Sequence, residues 1–439
     1  MKAPKSLRLH IGIFGRRNVG KSSLLNALTR QQVSIVSDVA GTTTDPVEKP
    51  MELLPLGPVL FIDTAGVDDV GALGEMRVEK TRKVIDRTDV GVIVAEAGKW
   101  NDFEQAMVDE LGKRNVPAIV VFNKSDLAEG KMGTVPSGAV LAEGHDRNSP
   151  GVSDRVPEAT AEHERKLRDS GVRVVRTAAP KGEGILALRE ALIASAPEEF
   201  VNPPAIVGDL LPSGGLAVLV VPIDKEAPRG RLIQPQVQTI RDLLDNDAYC
   251  MVVKERELRD ALLRLNRKPD IVVTDSQAFL KVAGDTPKDV KLTSFSILFA
   301  RFKGDLVEMV RGATAIERLK PGDRVLVAES CTHHPIGDDI GRVKIPRWLT
   351  QYVGGKLEFT THQGHDFPED LSSYKLVIHC GACMTNRRAV LNRVARCRDQ
   401  GVPITNYGLT IAYSLGIFER ALEPFPAALE VYRERKAAR

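Results

Sequence analysis

The segment that most restricts the fold of this chain is an apolar run, Leu9 to Phe14. It passes directly into Gly15-Arg16-Arg17-Asn18-Val19-Gly20-Lys21-Ser22 and then into the helix-forming stretch Ser23-Leu24-Leu25-Asn26-Ala27-Leu28. Strand, G-x-x-x-x-G-K-S and helix in that order describe a turn whose backbone N–H groups close around a phosphate chain at the positive end of the helix. Gly15 and Gly20 permit the turn, Lys21 reaches the terminal phosphates, Ser22 offers a hydroxyl to Mg²⁺, and Ser23 belongs to the same cradle.

Two more apolar runs end in residues of matching chemistry. Val59 to Ile62 leads into Asp63-Thr64-Ala65-Gly66, which puts a carboxylate where it can hold the Mg²⁺ shell and a glycine where it can sense the γ-phosphate. Ala118 to Phe122 leads into Asn123-Lys124-Ser125-Asp126, whose carboxylate can pair with both N1–H and the exocyclic amine of guanine. Adenine lacks that donor pair, so the expected nucleotides are GTP and GDP. Between the first two motifs, Gly41-Thr42-Thr43-Thr44-Asp45 has neither helical nor strand periodicity and reads as a switch loop. Ala178-Ala179 precedes Gly182-Glu183-Gly184 and keeps a backbone N–H able to meet guanine O6.

Over about the first 195 residues these motifs resemble the translation-factor-related GTPases, in particular the tRNA-modification and Era-type branch. The resemblance implies a Mg²⁺ ligand at Thr43 and a K⁺ ligand at Asn18, with catalysis resting on Lys21, Thr43, Asp63 and Gly66. Val67 stands where Ras-like proteins have glutamine, so slow intrinsic turnover is expected.

At 439 residues the chain exceeds one compact core, and three α/β domains are expected. They are a P-loop GTPase domain over 1–198, a small βαβαβ domain over 206–285 and a third α/β domain over 286–439. No apolar run approaches the length of a membrane span, and the N-terminus lacks a signal segment, so a soluble cytoplasmic protein is expected. The 61 basic and 58 acidic residues nearly cancel, and aromatic content is 5 %, which gives no support to nucleic-acid binding. The stretch 128–171 reads as a mobile insertion, and His145 and His163 in or beside it as solvated side chains.

In the middle region, strands at Leu216 to Val221, Tyr249 to Val253 and Asp270 to Thr274 alternate with helical patterns at Pro235 to Asp245 and Glu255 to Leu265. No catalytic constellation stands out there, and Cys250 reads as a small buried hydrophobe. Chemistry returns further on. Three of the five cysteines and five of the eight histidines lie between Cys331 and Cys383, arranged as Cys331-x-His333, a long gap, then His379-Cys380-x-x-Cys383. Val325 to Glu329 and Lys375 to His379 read as strands that end at the two halves of this pattern. In an open α/β sheet their carboxyl ends share one edge. Three thiolates suit Zn²⁺ and an iron–sulfur cluster equally on spacing alone.

The full set of motifs resembles the FeFe-hydrogenase maturation GTPases, the HydF family, whose signature is C-x-H, a long gap, then H-C-x-x-C. The resemblance implies a GTPase domain, a dimerisation domain and a cluster domain in a homodimer. It assigns a 4Fe-4S cluster to Cys331, Cys380 and Cys383, with His333 and His379 as candidate fourth ligands and His334, His362 and His365 weaker ones. It further implies a scaffold that receives a di-iron precursor from radical-SAM hydrogenase maturases and passes it to apo FeFe-hydrogenase. The alternative is a tRNA-modification or ribosome-assembly GTPase with a structural zinc site. Cys397 reads as a core thiol.

Overall fold

The computed structural model describes residues 4–29, 46–64, 72–129, 158–222, 232–330 and 339–438. Most of the expected insertion lies outside the described residues. The chain divides into two compact units, whose main bodies are Leu7–Asn202 and Pro203–Arg439.

The first unit is a six-stranded sheet covered on both faces. Its strands are β1 (Leu9–Phe14), β2 (Val47–Leu53), β3 (Gly57–Asp63), β4 (Val90–Glu96), β5 (Ala118–Asn123) and β6 (Arg173–Arg176), in the order β2-β3-β1-β4-β5-β6. All neighbours are parallel except β2 against β3. Both faces of the central strands are apolar because both are buried. Leu9, Ile11 and Ile13 of β1, with Val92 and Val94 of β4, pack under α1 (Lys21–Thr29) and the later helix Ile185–Ala194 through Leu24, Leu25, Leu188 and Leu192. Phe14, Ile93 and Phe122 face the opposite way, toward Ile85 of α2 (Ala72–Ile85) and Leu111 of α3 (Asp102–Lys113). The register sets Ile13 beside Asp63, Phe14 beside Ile93 and Glu96 beside Asn123, so three motif-bearing strands finish on one edge.

The second unit holds two four-stranded parallel sheets. One contains β7 (Leu216–Val220), β8 (Tyr249–Val253), β9 (Ile271–Thr274) and β10 (Lys291–Ser294), in the order β10-β9-β7-β8. The other contains β11 (Arg324–Glu329), β12 (Glu358–Gln363), β13 (Leu376–His379) and β14 (Ile404–Asn406), in the order β12-β11-β13-β14. The boundary expected at 285–286 requires correction. β10 pairs with β9 from Ile271↔Lys291 to Thr274↔Ser294, so the first sheet has four strands and closes beyond residue 285. One continuous apolar core then joins Val218, Phe279 and Leu292 of the first sheet layer to Leu326, Val377 and Ile411 of the second. The helix Phe295–Lys303, directly after β10, is buried along most of its length within that core.

Candidate functional site

Gly15 has φ +150° and a Cβ there would stand 2.4 Å from the Val94 carbonyl oxygen; at Gly20, φ +95°, it would stand 2.3 Å from Asn123 Nδ2. Any side chain at either position would collide with the sheet edge or the base-reading motif. Asn18 also takes a left-handed conformation, φ 61°, within this turn. Lys21 is buried, and its Nζ donates to the carbonyl oxygens of Gly15 at 2.8 Å and Arg16 at 2.7 Å. Ser22 Oγ donates to Asp63 Oδ2 at 3.1 Å, which brings the two expected Mg²⁺ anchors together. Burial holds the Asp63 carboxyl above the usual carboxylate range, against the opposing pull of Lys21, the Ser22 hydrogen bond and Lys49. Ser23 is exposed at the head of α1. Thr43 and Gly66 lie outside the described residues, as does Val67.

Asn123 joins three segments. Its Nδ2 donates to Val19 O at 2.9 Å, while its Oδ1 accepts from Thr177 Oγ1 at 3.0 Å and Ala179 N at 3.3 Å. The N–H of Ala178 donates to Glu183 O at 3.1 Å, so both alanine amides have partners within the protein. Lys124 is left-handed, φ 60°, and Asp126 pairs with Lys181 at 3.3 Å. Thr177 and Lys181 were not foreseen from the sequence; their place just before and after Ala178-Ala179 was the available signal. Glu104 was missed too. This buried carboxylate pairs with Arg16 Nε at 3.0 Å while accepting from the Asn101 backbone at 3.1 Å, which ties the phosphate loop to α3. The Asn101-x-x-Glu104 spacing is that of a helix-capping box.

In the second unit, Cys380 follows β13 directly and its N–H donates to Ala328 O of β11 at 2.9 Å. Cys380 Sγ accepts from Ser330 N at 3.1 Å and Ala382 N at 3.4 Å. Between the two cysteines Ala382 is left-handed, φ 54°, a conformation that costs an alanine energy and recurs at functional loops. Burial, then the neighbouring Cys380, pushes the Cys383 thiol up to about 11, with Lys303 among the opposing influences. The hydroxyl oxygens of Ser330 and Thr385 are buried without a hydrogen-bond partner. Cys331, His333 and His334 lie outside the described residues. Among the described residues no three His, Cys, Asp or Glu side chains form a metal-binding group.

These residues fit an iron–sulfur cluster. Two backbone N–H groups already donate to Cys380 Sγ, the outer-shell pattern a thiolate ligand takes.

Comparison with known proteins bears on both units. The model of the hydrogen maturase F dimerization domain matches residues 206–304, that of the hydrogen maturase F tetramerization domain matches 307–424, and that of the 50S ribosome-binding GTPase matches 10–124. The chain belongs to the hydrogen maturase F family. Its GTPase domain is 39 % identical over 130 residues to GTPase Der of Wolinella succinogenes, covering 29 % of this chain and 27 % of that protein. For GTPase Der of Nitratiruptor sp. the identity is 36 % over 132 residues, covering 29 % and 28 %. The chain thus spans little more than a quarter of the length of these curated relatives. The solved Era of Aquifex aeolicus bound to GDP.AlF4- is 19 % identical, covers 63 % of this chain and 99 % of its own, and has a TM-score of 0.34. The FeoB G-domain of Methanococcus jannaschii is 21 % identical, covers 43 % and 98 %, and has a TM-score of 0.30.

Within this hydrogen maturase F chain, His379 is fully buried and both ring nitrogens have partners: Nδ1 meets Cys380 O at 2.8 Å and Nε2 meets Arg393 Nη1 at 2.8 Å. Burial, then the Arg393 charge, pushes its pKa down to about 3. In this arrangement both ring nitrogens of His379, expected as a candidate fourth ligand, are engaged within the protein. His362 pairs with Asp366 at 3.0 Å, and His365 is exposed. Cys397 is buried, its thiol pushed up to about 12 by burial; Cys250 is half-buried on β8.

Proposed function

We propose that the chain is a GTP-hydrolysing scaffold that holds a 4Fe-4S cluster on Cys331, Cys380 and Cys383 and serves the maturation of FeFe-hydrogenase. The observation that carries this reading is the pair of backbone donors on Cys380 Sγ, from Ser330 and Ala382, at the adjoining ends of β11 and β13. Cys331 follows Ser330 directly in the sequence and is the third thiol of this reading. When bound, such a cluster supplies one iron with an exchangeable position. His333 is the candidate to occupy it, and the cargo is a di-iron precursor received from radical-SAM maturases and passed to apo-hydrogenase.

In the GTPase region, assigned to residues 1–198, Lys21 exchanges the Gly15 and Arg16 carbonyls for the terminal phosphates. Ser22, Asp63 and Thr43 hold Mg²⁺, Asn18 holds K⁺, Gly66 senses the γ-phosphate, and Asn123, Lys124, Asp126 and the Ala178-Ala179 turn select guanine. Homodimerisation is assigned to the domain that begins near residue 206, and the cluster to the domain after it. No helix among the described residues is long and apolar enough to cross a membrane, and we assign the chain to the cytoplasm, with no nucleic-acid partner.

Anaerobic reconstitution followed by iron, sulfide and zinc analysis tests the metal half. The reading expects about four iron and four sulfide per chain, lost on Cys380→Ser. Zinc at about one per chain without iron would reject it.

A further inference from the structure

We infer that Arg393 is a positioning residue for the thiol site: it fixes the His379 ring so that the imidazole braces the Cys380 to Cys383 loop and does not ligate a metal. The inference rests on the cluster reading above and extends it to a residue outside the C-x-H and H-C-x-x-C pattern.

The argument begins with donor and acceptor roles. A guanidinium can only donate, so at 2.8 Å from Arg393 Nη1 the Nε2 atom of His379 must accept with its lone pair. The ring proton then resides on Nδ1, and its partner is Cys380 O at 2.8 Å. One tautomer is thereby imposed from both sides. Arg393 is itself immobilised: Nη2 donates to Gly364 O at 2.6 Å, its guanidinium lies 5.1 Å over the Phe367 ring, and the residue is 6 % exposed. A buried guanidinium is costly unless its N–H groups are satisfied, so a histidine nitrogen and a carbonyl are strong fixtures for it.

The consequence falls on the loop. The carbonyl of Cys380 is held by the ring, while its N–H is held by Ala328 O at 2.9 Å. With both ends of the residue tethered, its Sγ is presented to the donors of Ser330 and Ala382 in one orientation. Arg393 lies on the helix Arg387–Asp399, so a helix with no ligand of its own sets the geometry of the first ligand of the pair.

The brace can be read without metal. In the full-length, metal-free chain labelled with ¹⁵N-histidine, NMR should show His379 protonated at Nδ1 and hydrogen-bonded but unprotonated at Nε2, with the signal assigned by its loss in His379→Gln. Arg393→Met should abolish that pattern. Should Arg393→Met fail to fold by circular dichroism, Arg393→Lys carries the comparison. A ring protonated at Nε2, or a pattern unchanged in both arginine variants, would overturn the inference.

After anaerobic loading, the reduced cluster should show no nitrogen coupling that disappears in His379→Gln, and Arg393→Met should lose iron to a chelator about 10-fold faster than wild type. A strong coupling assigned to His379, or equal iron release, would reject the brace. If the wild type takes up no iron, the cluster reading fails, and the metal-free spectra still decide the brace.

Discussion

Ser22 Oγ donates to Asp63 Oδ2 at 3.1 Å, so the hydroxyl at the head of α1 and the carboxylate at the end of β3 face each other directly. Burial raises the Asp63 pKa above its ordinary 3.8, which means the folded chain binds this proton more tightly than the unfolded one. Stability from that proton is present below about 3.8 and lost as pH rises through the folded value. At neutral pH the buried carboxylate is a net burden on the metal-free fold. Asp63→Asn should therefore raise the thermal midpoint of the metal-free protein at pH 7, with the gain shrinking as pH falls, while removing Mg²⁺-dependent GTP binding. Calorimetry across pH checks the first effect, and nucleotide titration with and without Mg²⁺ the second.

Lys21 Nζ donates to two phosphate-loop carbonyls, Gly15 O and Arg16 O. Lys21→Ala should reduce GTP turnover by about 100-fold or more, because a positioned cation at the terminal phosphates is lost. Phosphate release measures this. Iron content after reconstitution should stay at the wild-type level, and a parallel loss of iron in a folded variant would contradict the separation of the two sites.

Asn123→Ala removes the link between the phosphate loop and the Thr177 to Gly184 turn. It leaves Val19 O and Thr177 Oγ1 without a protein partner in a buried site, at a cost of about 1–3 kcal/mol. Denaturant unfolding should report that loss, and GTP affinity should fall with it. Thr177→Val, which deletes only the hydroxyl, should be milder in both measurements.

Thr385 carries a buried hydroxyl without a partner. In the metal-free chain Thr385→Val should be neutral or stabilising by about 1 kcal/mol, since an unsatisfied group is removed. In the loaded chain the same substitution should lower the midpoint potential of the cluster by withdrawing a hydrogen bond from a sulfide. Potentiometric titration decides; equal potentials would mean that the hydroxyl faces elsewhere.

β8 is an edge strand of its sheet and exposes Tyr249 at 67 % and Val252 at 45 %. An open strand edge with large apolar side chains is a template for pairing with a second copy. Val252→Lys should shift sedimentation from dimer toward monomer and leave the GTP turnover rate unchanged.

The shared edge of β1, β3 and β5 was legible in the sequence because the motif after each is fused to an apolar run, and the ends of buried parallel strands gather on one edge. β10 was not legible for the opposite reason: in Lys291-Leu292-Thr293-Ser294 a single large apolar residue stands among polar ones, and their burial comes from tertiary packing. β12, Glu358-Phe359-Thr360-Thr361-His362-Gln363, is likewise an edge strand of mixed polarity. Arg393 was hidden among the arginines of its helix. Only the fold separates the buried Arg393 from the others.

The pairing of β10 with β9, and the shared apolar core beyond it, make the two sheets of the second unit a single cooperative body. A chain ending at Asp285 would expose the flank of β9 and the face that Phe295–Lys303 covers, and such a fragment should aggregate. In calorimetry the strand edge assigned to dimerisation and the loop assigned to the cluster should melt in one transition. Any thermal shift produced by loading the thiols will then be felt equally by the subunit contact.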